Sequence, residues 1–136
     1  MREIIFRGKT EKGEWVYGDL LHPDLYGNGY SIEDFTKGKN NCFDVIPETV
    51  GQYTGLRDCK RTEEYPEGQK IFEGDIIREN YGYGAYDDFC VVFCLGGFNM
   101  IYIQTNKGKY AWYGENGEVV GNIHDNPELI GGDSDA

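Results

Sequence analysis

No stretch of this sequence approaches the ~18 consecutive apolar residues of a membrane-spanning helix, so a helical span is excluded. Nor does an apolar period of 3.6 residues persist beyond short stretches, which excludes a helical fold. Zinc spacing is missing too: there is no C-x2-C, and the two histidines, His22 and His124, stand alone. No glycine-rich segment ends in Lys-Ser/Thr ahead of a helix, so no phosphate cradle is present. No nucleophile lies beside a base in a recognisable pattern. Basic residues are scarce, 13 Lys and Arg against 24 Asp and Glu, and none follows Lys109. A net charge of −11 repels phosphate backbones, so nucleic-acid binding is not expected unless folding assembles a basic patch.

What the chain does have is β chemistry. Its 136 residues include twenty glycines, eleven tyrosines, seven phenylalanines and two tryptophans. That glycine content suits short strands joined by tight turns, and the aromatic content suffices for a core and argues against disorder. The chain starts Met1-Arg2-Glu3 and then an apolar run of three, without a signal-peptide pattern. The expectation is a protein of the bacterial cytoplasm with reduced thiols. Of the four cysteines (Cys42, Cys59, Cys90 and Cys94), Cys90 and Cys94 share one face of DFCVVFCL and read as small core hydrophobes.

Turn chemistry divides the chain. Ile4 to Arg7 and Glu14 to Tyr17 flank the polar segment Gly8 to Gly13, the pattern of a β-hairpin. Gly18-Asp19 reads as a bend, and Leu20-Leu21 resume the apolar pattern before His22-Pro23 and a loop from Asp24 to Gly29. Tyr30 to Phe35 and Cys42 to Ile46 read as strands separated by a turn at Lys37 to Asn41. Pro47 marks an edge, a strand start or a single helical turn. Phe89 to Leu95 has the near-continuous apolar run of a strand buried on both faces. After Gly96-Gly97 come a strand from Phe98 to Gln104, a turn at Asn106-Lys107-Gly108 and a strand from Lys109 to Tyr113. Asn116-Gly117 is then a type I′ hairpin signal from which Glu118 to Ile123 pairs back. Asn126-Pro127-Glu128 reads as a cap and first-turn proline of one helical turn.

The central stretch is ETVGQYTGLRD (Glu48 to Asp58) followed by KIFEGDII (Lys70 to Ile77). Gly51, Gly55 and Gly74 interrupt its apolar pattern where strands bulge or bend. Glu73-Gly74-Asp75 reads as a bend in which Gly74 supplies the dihedral freedom and Asp75 bonds backbone amides. A carboxylate pair from Glu73 and Asp75 for acid–base work or a hard cation is the functional alternative, but catalytic pairs normally come from separate elements around a cleft. Two further segments are candidates for contact. Cys59 to Gln69 carries mixed charges and reads as a solvated excursion or a partner-binding loop. Asn80 to Asp88 reads as a glycine-rich loop displaying Tyr81, Tyr83 and Tyr86. Those tyrosines could stack bases, which would also need a cationic groove, or form a protein–protein patch.

ETVGQYTGLRD with KIFEGDII resembles the signature of the YopX-like family of phage and prophage proteins. The opening IIFRGKTEKGEWVYGDL (Ile4 to Leu20) and the close VVGNIHDNPELI (Val119 to Ile130) are similar to the family's two ends. The chain departs from the family in CKRTEEYPEGQ (Cys59 to Gln69), where a compact turn with a glycine is usual. The resemblance implies a phage or prophage origin and a predominantly β fold, and it brings no catalytic residue.

Together these readings predict an all-β chain with little helix. Its core is a small SH3-like barrel or meander over roughly Ile71 to Ile123, packed with an N-terminal β module. The expected parts are residues 1–47 as that module, 48–130 as the barrel-like core and 131–136 as a frayed tail, all in one compact unit. The expected role is a non-enzymatic interaction or self-assembly module, homo-oligomeric and without metal or cofactor. A nucleic-acid-linked accessory protein, using a local basic patch or acting as an acidic DNA mimic, is the alternative.

Overall fold

The computed structural model describes residues 3–21, 29–34, 36, 41–94, 96–103, 108–109 and 117–130. His22, Pro23, most of the expected loop at Asp24 to Gly29, most of the turn at Lys37 to Asn41 and the tail from Gly131 lie outside these residues. So do the turn residues Asn106 and Lys107, most of the strand from Lys109 to Tyr113, and Asn116. The chain divides into two compact units, Met1–Tyr53 and Thr54–Ala136. Among the described residues it is all-β: two antiparallel sheets and two single turns of 3-10 helix. Among the described residues no helix is long and apolar enough to cross a membrane.

In the first unit, β1 (Phe6–Lys9) and β2 (Trp15–Leu21) form the expected hairpin. Its loop closes where Thr10 accepts from the Gly13 amide and donates to the Glu14 carbonyl, both at 2.9 Å. β2 continues into β3 (Ser31–Glu33) and β4 (Cys42–Asp44), giving the order β4-β3-β2-β1. The start of β5 (Gly51–Arg57) follows on the far side of β1, with Gly51 opposite Arg7. Alternation along β2 sends Val16 and Leu20 to one face, where Val16, Ile32 and Val45 form a buried cluster. Burying each such side chain contributes about 1.5–3 kcal/mol, more than any single hydrogen bond in the hairpin. Gly18 makes no bend; β2 runs straight through it. Pro47 starts a 3-10 turn, Pro47–Thr49, in which the Thr49 hydroxyl accepts from the Lys9 amide at 2.8 Å and donates to the Ile46 carbonyl at 2.6 Å.

The second unit holds the end of β5, then β6 (Lys70–Phe72), β7 (Asp75–Gly82), β8 (Ala85–Cys94), β9 (Gly97–Tyr102), β10 (Gly108–Lys109) and β11 (Glu118–Asn122). The last five make one sheet in the order β10-β9-β8-β7-β11. The bend at Glu73-Gly74-Asp75 is present: Gly74 has φ +93°, and the Asp75 carboxylate accepts from the Phe72 amide at 2.7 Å. Gly55 also takes a left-handed φ, +92°, inside β5, whereas Gly51 sits in ordinary strand. The core is Ile71, Ile77, Phe89, Val91 and Met100, with Val119 packed on it.

The expectation for β8 also needs correction. β8 is not buried on both faces: Phe89 and Val91 are, but Cys90 and Val92 are half-covered and Phe93 is 55% exposed. Phe93 packs edge-to-face on Phe98 beside the turn of the β8–β9 hairpin, with ring centroids 5.1 Å apart. β11 pairs with β7 at the edge of the sheet, with a bulge between Val119 and Gly121, and the strand expected to pair with it, Lys109 to Tyr113, lies mostly outside the described residues. Proline again starts a short turn at Pro127–Leu129, but Asn126 does not cap it with its side chain. Its Oδ1 accepts from the Asn122 amide instead, at 3.1 Å.

Candidate functional site

The segment Asn80 to Asp88 is not a loop. It is the tip of the β7–β8 hairpin, paired through Glu79 opposite Asp87, Asn80 opposite Tyr86 and Gly82 opposite Ala85. The register shifts between Asn80 and Gly82, so Tyr81 sits on a bulge. Tyr83 and Gly84 form the connection, with φ +56° and +81°, and Gly82 before them has φ +91°. Positive φ at both central residues is the requirement of a type I′ turn, usually met by Asn-Gly. Tyr83 is the one non-glycine residue with positive φ among the described residues. A β-carbon there crowds the following carbonyl at a cost of about 1–2 kcal/mol.

All three tyrosines come together at this tip. Tyr81 is 56% exposed, Tyr86 47%, and Tyr83 109%, its whole ring in solvent. The Tyr81 hydroxyl donates to Asp87 at 2.9 Å. On the other face, Arg78 lies with its guanidinium carbon 4.0 Å from the centre of the Tyr86 ring. Arg78 also makes a bidentate pair with the buried Asp88, through Nε at 2.8 Å and Nη2 at 3.0 Å. That hydrogen bonding, opposed in part by burial, raises the Arg78 pKa. The pair fixes the Tyr86 ring from below, so the tip is ordered at its base and open at its end.

Replacing Tyr83 by Asn tests the strain directly. The expected outcome is a more stable protein, by about 1 kcal/mol, because Asn tolerates the left-handed region. Chemical denaturation checks this; an unchanged or lower midpoint would mean the turn is not strained.

The other candidates have structural employment. Asp75 is buried against the Phe72 amide, so Glu73 and Asp75 serve the bend. No three His, Cys, Asp or Glu side chains gather among the described residues to hold a metal. The Cys59–Gln69 excursion is exposed from Cys59 to Glu67, and the arginines within and before it bond backbone: Arg61 donates to the Asp58 carbonyl at 2.8 Å, and Arg57 of β5 to the Gly68 carbonyl at 2.9 Å. Near the start, Arg7 is buried and lies 4.7 Å from the Trp15 ring centre, with Lys9 at 5.9 Å.

What the residue pattern missed is Asp58. Only 3% exposed, it takes the Gln69 amide at 2.9 Å and the Lys60 amide at 3.3 Å on Oδ1, and the Val119 amide at 2.9 Å on Oδ2. One carboxylate thus closes the excursion and anchors β11. Asp34 acts similarly in the first unit, accepting from the Tyr17 amide and from Thr36.

Of the cysteines, Cys42 and Cys59 are exposed and Cys90 is half-buried. Burial, helped by Asp75 and Glu73, pushes the Cys90 thiol up to about 11 from 9.0. The unfolded thiol ionises first, so this group's contribution is complete below pH 9.0 and is lost as pH rises toward about 11. At mildly alkaline pH, iodoacetamide should label Cys42 and Cys59 well before Cys90. Equal rates in the folded protein would contradict the burial of Cys90.

Fold and site define a class: an all-β antiparallel protein with a tyrosine-tipped hairpin. Over residues 5–131 the chain matches the family described as YopX protein, and it belongs to that family. No curated protein matches it significantly.

Proposed function

We propose that this YopX-family chain is a non-enzymatic protein-interaction module of phage or prophage origin, acting in the bacterial cytoplasm, and that its contact element is the β7–β8 tip. One observation carries the reading: a fully exposed tyrosine occupies a left-handed turn position that Asn or Gly would fill with less strain. Tyr81 and Tyr86 flank it, and tyrosine offers large contact area with few torsions to immobilise. The test is a photo-reactive benzoylphenylalanine in place of Tyr83, with one in place of the exposed Glu48 as control, irradiated in bacteria that express the protein. Protein adducts specific to the tip position are expected. Equal adduct patterns from both positions would overturn the reading.

Self-association at micromolar concentration through edge strands such as β4 belongs to the same proposal. A clean monomer mass by light scattering would remove that part. Nucleic acid is not the expected partner. Arg7 is buried beside Trp15, Arg57 and Arg61 bond backbone carbonyls, and the net charge is −11. Anisotropy titrations with duplex and single-stranded DNA should show no binding at near-physiological salt. Micromolar binding that weakens steeply with added salt would reveal a basic patch.

A further inference from the structure

The chemistry around the tyrosines narrows what the tip can hold. On the Tyr81 side, Asp87 lies directly across the strand pair from Glu79. Like charges in that position repel, and the sequence keeps both beside the aromatic tip. Asp87 already accepts the Tyr81 hydroxyl on Oδ2, and a carboxylate has capacity for further donors. On the Tyr86 side, Arg78 is bonded to Asp88 and lies opposite Glu118 of β11. The tip therefore presents π faces beside one half-exposed carboxylate, Asp87, with Glu79 and Asp88 buried beneath it.

That surface is wrong for two kinds of partner. A polyanion meets the carboxylates and the overall charge of −11. An aliphatic groove would strip water from Asp87 without giving a counter-charge. It is right for a guanidinium, which stacks on tyrosine and forks onto a carboxylate at once. The protein shows the arrangement within itself: Arg78 lies 4.0 Å from the centre of the Tyr86 ring while paired to Asp88.

Resting on the reading of the tip as the contact element, we propose that its partner is a protein segment bearing arginine, received between the Tyr81 and Tyr83 rings and Asp87. Lysine fits less well, because an ammonium is strongly hydrated and cannot stack as a plane.

The test uses the whole chain and fluorescein-labelled peptides of equal length: Arg-Gly, Lys-Gly, Leu-Ser and Glu-Gly repeats, titrated by anisotropy at near-physiological salt. The Arg-Gly peptide should bind saturably and more tightly than Lys-Gly. Tyr81→Ser, Tyr83→Ser and Asp87→Asn should each weaken it by about threefold or more, with melting curves confirming that each variant folds. The exposed Glu48→Gln control, outside the tip, should not change it. Arg-Gly binding that survives the paired Tyr81→Ser, Tyr83→Ser variant would assign it to diffuse charge and overturn the proposal. So would tip-dependent binding of Leu-Ser as tight as that of Arg-Gly, although the tip would then stand as a contact element. Absence of all peptide binding also overturns it, and the adducts formed from position 83 then decide separately whether the tip touches any protein.

Discussion

Gly18→Ala is expected to destabilise the protein by about 3 kcal/mol or more, a larger loss than most single substitutions cause. Gly18 lies mid-strand in β2, where the chain leaving its neighbour β3 at Glu33-Asp34 passes close to it. A methyl group there would overlap the Glu33 carbonyl oxygen and sit 2.9 Å from the Glu33 carbonyl carbon and 3.2 Å from the Asp34 Cα. Each of these atoms is backbone, so no rotamer change relieves the clash. The backbone is further pinned, because Asp19 pairs with Glu33 and the Asp34 carboxylate accepts from the Tyr17 amide at 3.2 Å. Relief requires β3 to lift away from β2, which uncovers Val16 and Ile32. Gly97→Ala is the matched control: that strand position has open space around it and should change stability by less than about 0.5 kcal/mol. A fall in melting temperature of roughly 10 °C for Gly18→Ala, with none for Gly97→Ala, is the expected result. Equal melting temperatures would show that the β2–β3 approach is looser than described.

Gly18 also shows where sequence reading stops. A glycine after an apolar strand is compatible with a bend and with close approach of another backbone. Only the return of β3 decides, and that contact lies outside any local window. The features read correctly are local ones. The β1–β2 hairpin, the bend at Glu73-Gly74-Asp75 and the turns begun by Pro47 and Pro127 are each determined within a few residues. The tyrosine tip was legible in its residues and not in its form. Alternating glycines hide the strand signal of Tyr81 and Tyr86, although tyrosine itself favours strands. The pairing of β11 with β7 was hidden for a different reason. No local pattern points from Glu118–Asn122 to β7, and the Val119 amide is held by Asp58, 61 residues earlier. Asp58 looked like any aspartate at the end of a strand, because the amides it gathers are contributed by the fold.

That gathering makes Asp58→Asn the sharpest test of the second unit. Both carboxylate oxygens face amide donors: Oδ1 takes Gln69 at 2.9 Å and Lys60 at 3.3 Å, and Oδ2 takes Val119 at 2.9 Å. An amide side chain has one oxygen, and its NH2 group must point at donors whichever way it is turned. Turned toward Val119, it frees the edge where β11 meets the chain; turned the other way, it opens the Cys59–Gln69 excursion. Either orientation loses a charge-assisted bond and leaves a buried N–H facing a donor. The expected cost is about 2–4 kcal/mol, despite near-identical shape. Asp58→Ala removes the repulsion along with the acceptors, so it should be no worse than Asn by more than about 1 kcal/mol. Asp75→Asn should cost less than Asp58→Asn, because one amide oxygen still suffices for the Phe72 N–H. Chemical denaturation of the three variants gives the ranking. Hydrogen exchange adds a local readout, since the Val119 and Gln69 amides should lose protection in Asp58→Asn before the core amides of β7 and β8 do. If Asp58→Asn keeps wild-type stability and both amides stay protected, the carboxylate is not the clasp that joins β11 to the end of β5.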